Sequence, residues 1–150
     1  MSKQIILTAG QKAFRINKDR TIYGSIVEIG AGQEVARQFF RVGSASKTIA
    51  KTMSAYDRDF SDAIYGKEDD GRYVCKSRLN KMLDQEYGLL EERLNRDDHK
   101  DTRYFVFADT VTTINYDRTI NGHGWIGLRF QIDPKKAPND FLIHVRLKDQ

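Results

Sequence analysis

The chain has only one cysteine among its 150 residues, and it has no long hydrophobic run. A single cysteine, Cys75, excludes an internal disulfide, and structural zinc sites need several Cys or His ligands at short spacing. The aliphatic run Ile5–Leu7 is too short for a signal-peptide core, and no apolar segment approaches the roughly 20 residues of a membrane span. We therefore expect a cytoplasmic protein with a reduced cysteine and no membrane partner.

The first fifty residues also have no run of consecutive basic residues, although the net charge of the chain is +4. The first fifty residues carry eight basic and three acidic side chains, so the basic excess lies in the first third. Such an excess suits a phosphate-bearing ligand, because positive potential concentrates anions, but it is also compatible with an ordinary solvated surface. Without a recognition motif or a dense Lys/Arg stripe, a nucleic-acid partner is not expected.

The length is that of one domain, which buries roughly 68–70% of its unfolded surface. We expect residues 1–150 to form a single domain. The last predicted strand stops at Lys148, with no helix after it to cover the sheet. The chain is therefore either a fragment of a longer protein or a domain that ends in a strand.

Hydrophobic periodicity divides the chain into a mixed first half, a helical middle and a strand-rich end. The fold class predicted is α/β or α+β, with a helical first half packed on a late, mainly antiparallel sheet of three or more strands. Residues 4–8 and 13–16 are predicted as short strands. Helices are predicted over Ser46–Tyr56 and Ser77–Asn95, the second with Ser77 as its N-cap. The late strands are predicted at Arg103–Tyr116, Gly124–Ile132 and Phe141–Lys148. Apolar and polar residues alternate strictly in the second and third of them, which predicts one packed apolar face and one wet face.

The segment GSIVEIGAGQEVARQFFRVG, residues 24–43, predicts a strand, a glycine turn and a helix. The G-x-G-x-x-G fingerprint of dinucleotide sites fails at its third glycine. An acidic residue before G-x-G is also typical of the first motif of Rossmann-type methyltransferases. The segment is therefore either a ligand turn or a plain strand-to-helix connection. The candidate cofactor-binding residues are Glu28, Gly30, Gly32 and Gln33.

Candidate sites in the late strands centre on basic and aromatic side chains. The three histidines lie in separate segments and have no metal-ligand spacing, so no metal is expected. His123, between two glycines, partly matches the T/H-x-G-H signature of nucleotidyltransferases, although Ile120 occupies the first position; the alternative is a plain turn histidine. Trp125, Arg129, His144 and Arg146 are predicted to form a sheet face that binds an anion or a partner protein, with Asp109 of the first late strand near it. The alternatives are a solvated face or one covered by the helix of residues 77–95.

Seven segments together resemble a family of longer bacterial proteins: EIGAGQEVARQFFRVG, TIAKTMSAYD, SDAIYG, LNKMLDQEYGLLEERL, FVFADTV, GHGW and HVRL. The resemblance spans residues 22–148. Members of that family bear inconsistent labels, nicotinate-nucleotide adenylyltransferase among them. The resemblance implies that this chain corresponds to the N-terminal part of such proteins.

Two functional hypotheses follow from the sequence. The first is a bacterial cytoplasmic domain, part of a larger enzyme-like protein, that binds a nucleotide or another small anionic metabolite. The second is a non-catalytic interaction or assembly domain, for example in a homo-oligomer. The sequence identifies no catalytic residue and no particular cofactor.

Overall fold

The computed structural model describes residues 3–148, which form one sheet with helices on both faces. The helices are α1 (Ala9–Lys18), α2 (Val35–Val42), α3 (Arg58–Tyr65) and α4 (Lys76–Arg93). The strands are β1 (Ile22–Gly30), β2 (Ile49–Ala55), β3 (Arg103–Thr112), β4 (His123–Phe130) and β5 (Asn139–Arg146). Short 3₁₀ turns occupy Ala45–Lys47 and Arg96–His99. None of these helices is long and apolar enough to cross a membrane.

The five strands follow the order β2-β1-β3-β4-β5 in a mixed sheet. Strand β1 pairs in parallel with both β2 and β3, whereas β3-β4 and β4-β5 are antiparallel. The connection after β1 runs through α2 to β2, which is on one flank of the β1-β3 pair. The connection after β3 runs to β4, on the other flank. The fold class predicted from sequence is confirmed, and the predicted late meander is extended by two parallel strands from the first half.

Helix α4 covers one face of the sheet and forms the main core with it. Its side chains Leu79, Met82 and Leu83 are fully buried against Val27 of β1 and Val106 of β3. Trp125 and Leu142 pack against this core from β4 and β5. The face that carries Trp125 is thus covered by α4, the alternative that the sequence left open. Each fully buried large aliphatic side chain contributes about 1.5–3 kcal/mol to stability, so this layer is the main source of stability.

The opposite face is covered only in part, by α1 and α2. An apolar cavity of about 340 Å³ lies between these helices and the sheet, with Ile16 and Phe39 on the helix side and Phe107 and Phe130 on the sheet side. Farther out, on β5, Phe141 is 57% exposed and Ile143 is 37% exposed. The alternating pattern of the late strands predicted this apolar face to be the packed one, and over β5 that prediction is wrong, since neither α1 nor α2 reaches so far.

Three local predictions in the first half are wrong. Residues 13–16 belong to α1 rather than to a strand, and residues 4–8 form no regular element. A capping box starts α1, in which Thr8 and Gln11 exchange side-chain to backbone hydrogen bonds. The helix predicted over Ser46–Tyr56 is instead the 3₁₀ turn and β2.

The predicted helix Ser77–Asn95 is confirmed as α4, but it begins one residue earlier. Cys75 holds the N-cap position without a side-chain hydrogen bond to the helix. Ser77 lies inside the first turn and donates to Glu68 instead. The three predicted late strands are confirmed as β3, β4 and β5, but each ends earlier than predicted, and β4 and β5 also begin earlier.

Candidate functional site

The candidate site lies at the edge of the sheet where β1 and β3 end. At this edge Gly30 is level with Val111, Thr112 is level with His123, and His123 is level with Arg146. The connections after β1 and β3 leave in opposite directions, which makes this edge a topological switch point. In open α/β sheets the crevice outside the carboxyl ends of the strands at such a point is the usual ligand site.

The glycine turn is tightly bound to its own surroundings. Gly30 has φ of 79°, and a Cβ there would lie 2.1 Å from the carbonyl oxygen of Val111. The Ala31 N–H donates to that same carbonyl at 3.0 Å. The Gln33 side chain donates to the Gly30 carbonyl at 2.8 Å and the Glu28 carbonyl at 3.2 Å. Each of these contacts stabilises the turn itself.

Glu28 occupies the N-terminus of α2. Its carboxylate accepts hydrogen bonds from the N–H groups of Val35 at 2.8 Å and Ala36 at 3.2 Å. A carboxylate here satisfies N–H groups that lack helical partners and complements the positive end of the helix dipole. Glu34, which precedes the helix, makes no side-chain cap. The start of α2, which the sequence suggested as a site for an anionic ligand, is therefore already occupied by the Glu28 carboxylate.

Asp109 of β3 lies level with Glu28 and is almost completely buried, at 3% exposure. Burial, and then the neighbouring Glu28 carboxylate, raise the pKa of Asp109 to about 9. Its Oδ1 atom has no hydrogen-bond partner among the described residues. A Cβ on Gly32 would lie 2.8 Å from that oxygen, so the turn covers the carboxyl group closely.

On the α4 face of the same edge, two histidines form a pair. His123 Nδ1 and His144 Nε2 are 3.0 Å apart, a hydrogen-bonding distance. The ring of Trp125 lies against His144 with centroids 4.9 Å apart. Burial lowers the pKa of His123, and the positive charges of His144, Arg72 and Arg146 lower it further.

Arginine side chains surround this pair. A cavity of about 430 Å³ is lined by Arg58, Arg72, Thr112 and His123 among others. A smaller one beside it, of about 340 Å³, is lined by His123, His144 and Arg146 together with the Asn121-Gly122 turn. Within residues 3–148, neither Arg72 nor Arg146 forms an ion pair with an acidic side chain.

The segment that carries Arg72 is fixed to the sheet. The Thr110 hydroxyl donates to the Tyr73 carbonyl at 2.7 Å, and the Arg72 N–H donates to Asp70 at 2.9 Å. The loop over residues 71–74 is thereby anchored beside the end of β3. Rigid backbone on both sides of the cavity favours a preorganised binding site over one that forms only on binding.

Arg129 does not belong to the basic cluster around the histidine pair. It donates to both carboxylate oxygens of Asp140, at 2.7 and 3.0 Å, and to Asp84 of α4 at 2.7 Å. These bonds raise the pKa of the guanidinium and neutralise its charge. Of the predicted surface, the structure brings together Trp125, His144 and Arg146, adds His123, and separates Arg129.

Sequence reasoning missed Arg58 and Arg72, and it assigned Asp109 to the wrong surface. Asp109 was expected near the basic face of β4 and β5, but it points to the opposite face, beside Glu28. Arg72 follows the acidic stretch Glu68–Asp70, which conceals it in any local count of charge. Only the parallel β1-β3 register reveals the carboxyl pair. Among the described residues, no three His, Cys, Asp or Glu side chains are grouped as for a metal.

Fold and edge together define an open α/β domain with a basic crevice at its switch point. Solved bacterial structures share this fold at low identity. A competence-damaged protein (CinA) superfamily protein from Enterobacter cloacae is 11% identical with a TM-score of 0.59, and the match covers 99% of this chain and 84% of that one. The superfamily protein from Escherichia coli is 10% identical with a TM-score of 0.56, over 98% and 84%.

A third structure, the competence/damage inducible protein CihA from Agrobacterium tumefaciens, is 19% identical with a TM-score of 0.52, over 96% of this chain and 83% of that one. No protein-family model and no curated protein matches the chain. The fold is therefore that of CinA-superfamily structures. None of these three structures carries the nicotinate-nucleotide adenylyltransferase label of the resembling family.

Proposed function

We propose that this domain binds a small anionic metabolite, a phosphate-bearing one such as a nucleotide, at the basic edge of the sheet. One observation carries the proposal: Arg72 and Arg146 project beside the His123–His144 pair with no acidic partner among residues 3–148. Unpaired cations around a cavity attract and hold an anion. The bacterial sources of the similar folds support a bacterial domain, and the lone cysteine supports a cytoplasmic one.

The position of the anion differs from the one that the glycine turn suggests. Glu28 already satisfies the first N–H groups of α2 and would repel a phosphate there. The cavity at Arg58, Arg72 and His123, by contrast, has cationic walls and a volume of about 430 Å³, within the range of small-molecule sites. In this proposal the turn at Gly30 and Gly32 shapes the neighbouring end of the crevice, and the basic cluster holds the phosphate.

Titration calorimetry with nucleoside mono-, di- and triphosphates tests the proposal. We expect binding by the unmodified protein and a loss of affinity of about tenfold or more in Arg72→Ala and Arg146→Ala, since each removes one charge-assisted contact worth about 1.5–3 kcal/mol. Lys135→Ala removes the same charge from the remote loop before β5 and should leave the affinity unchanged.

Two outcomes would count against the proposal. One is the absence of any binding heat across the panel, with thermal-shift measurements also unchanged. The other is an equal effect of Lys135→Ala and Arg146→Ala, which would mean that the site responds only to overall charge.

A second candidate function, assembly with another copy of the chain, is favoured by the other face of the sheet. Phe141 and Ile143 are exposed there on β5, which is also an edge strand with free backbone groups. A two-fold contact between such faces would bury this apolar surface. Size-exclusion chromatography with light scattering should then give a dimer that Phe141→Ser/Ile143→Ser converts to a monomer, and a strictly monomeric parent protein would exclude this function.

A further inference from the structure

The histidine pair has a limited set of protonation states because of its geometry. Each neutral imidazole carries one N–H, and the hydrogen bond between His123 Nδ1 and His144 Nε2 uses one of the two. The neutral pair therefore offers one N–H and one bare nitrogen on its outer sides. A single added proton gives N–H groups on both outer nitrogens and preserves the hydrogen bond. A second added proton would place two N–H groups face to face at 3.0 Å and break it.

The charges around the pair oppose that single proton in the free protein. His144 and Arg146 act on His123 from β5 and Arg72 acts from the loop before α4, and all three are basic. Arg58 of α3 lines the cavity on the same side. No carboxylate contributes to the shift at His123. The nearby carboxylates have other partners, since Asp59 pairs with Arg58 at 3.8 Å and Asp70 accepts from the Arg72 N–H. An anion placed among these groups would supply the negative charge that none of the residues acting on His123 provides.

We propose that the His123–His144 pair is a proton-coupled anion clamp, which takes up one proton as an anion binds and which prefers dianions to monoanions. This inference rests on the proposed function and specifies how that site operates. The added proton brings one more positive charge and one more N–H donor to the ligand, so a dianion such as a terminal phosphate gains more from it than a monoanion does. By linkage, affinity then falls as pH rises, by up to about tenfold per pH unit.

Sulfate is the sharpest probe, because it stays a dianion across the neutral range and cannot itself exchange protons. Methyl sulfate is a matched monoanion of similar shape. Titration of the protein with sulfate in buffers of different ionisation enthalpy measures the protons taken up per anion bound. We expect close to one proton at a pH just above the usual histidine range, and at least tenfold weaker binding of methyl sulfate.

Variants of the three histidines separate the clamp from general electrostatics. His123→Asn and His144→Asn keep a polar side chain but cannot carry the proton, so sulfate should bind them more weakly and without proton uptake. His99→Asn is the control, since His99 stacks on Tyr23 outside the cluster. It should leave both affinity and uptake unchanged.

The outcomes separate the two proposals. The clamp would be overturned, with anion binding intact, by a sulfate-binding enthalpy that does not change with the ionisation enthalpy of the buffer. Proton uptake that persists in both the His123 and His144 variants would overturn it as well. A protein that binds neither sulfate nor any nucleotide would overturn the proposed function and the clamp together. Histidine NMR titrations with and without sulfate give a second measurement, in which a pKa rise on binding is expected at the pair and none at His99.

Discussion

Glu28 and Asp109 lie level on neighbouring parallel strands, yet their carboxyl groups have different environments. Glu28 accepts two backbone N–H bonds from the start of α2. Asp109 has no such donors at Oδ1, and burial beside Glu28 raises its pKa to about 9. The folded protein therefore keeps a neutral acid beside a carboxylate that caps a helix.

This arrangement makes stability depend on pH in a defined direction. In the unfolded chain Asp109 ionises with the ordinary aspartate pKa of 3.8, whereas in the fold it stays protonated to about 9. Between these values the folded state binds one more proton, so the free energy of unfolding falls by about 1.4 kcal/mol per pH unit on account of this group. We predict that Asp109→Asn removes that slope and is more stable than the parent protein at pH 7.

Urea denaturation at a series of pH values from 5 to 8 measures the effect. The quantity to compare is the difference in unfolding free energy between parent and variant, which should grow with pH. Asp98→Asn, an exposed carboxylate in the turn after α4, is the control and should give a flat difference. A flat difference for Asp109→Asn as well would show that Asp109 ionises normally in the fold.

The sequence predicts the parts of the fold that depend on one element at a time. Helix α4 follows from its apolar repeat, and β4 and β5 follow from strict alternation. Strand β2 could not be recognised in this way, because Ile49 and Met53 also have helical spacing, the register with β1 shifts between Ile49 and Lys51, and the α4 face of the strand carries the charged Lys51 beside Met53. Lys51 belongs on that face because it pairs with the buried Glu86 of α4, a contact that exists only in the assembled fold.

The same distinction applies to the candidate site. The glycine turn and the basic character of β4 and β5 are visible in the sequence. The level positions of Glu28 and Asp109 require the parallel β1-β3 register, and the approach of Arg72 to His123 requires the loop to fold back onto β3. For α1, however, a local signal was present: Thr8 and Gln11 have capping-box spacing.

The two glycines of the turn are predicted to be structural requirements. A Cβ at Gly30 would approach the Val111 carbonyl at 2.1 Å from a backbone with positive φ, and one at Gly32 would meet Asp109 Oδ1 at 2.8 Å. We expect Gly32→Ala to cost about 1–3 kcal/mol, as overpacking usually does, and Gly30→Ala to cost more. Both effects are measurable by urea denaturation.

Gly88 is the matched control for these two substitutions. It lies exposed within α4, and a Cβ there would meet nothing within 4 Å. Gly88→Ala should therefore stabilise the protein by up to about 1 kcal/mol through helix propensity. A Gly32→Ala protein as stable as the parent would contradict the inference that close packing on Asp109 requires a glycine here. A ligand role for this glycine would then regain support.

The last prediction concerns Arg78, a fully buried guanidinium in the first turns of α4. It donates to Asp62 and to the Gly66 carbonyl at 2.5 and 2.6 Å, to Glu68 at 3.3 Å, and also to Ser61. These acceptors belong to α3 and to the loop that leads to Arg72. Because removal of Arg78 breaks this buried network and leaves the partly buried Asp62 without its counter-charge, while Glu68 keeps Lys81, Arg78→Ala should lower the unfolding free energy by about 3–5 kcal/mol.

The loss should be accompanied by a local effect at the candidate site. Without Arg78 the loop over residues 66–72 loses two of its bonds, those to the Gly66 carbonyl and to Glu68, so its amides should exchange hydrogen faster and anion binding should weaken through Arg72. Arg93→Ala, at the exposed end of the same helix, is the control and should stay within about 0.5 kcal/mol of the parent. Unchanged exchange in the loop of an Arg78→Ala protein that still folds would show that the loop is held by other contacts, and that Arg72 is positioned independently of α4.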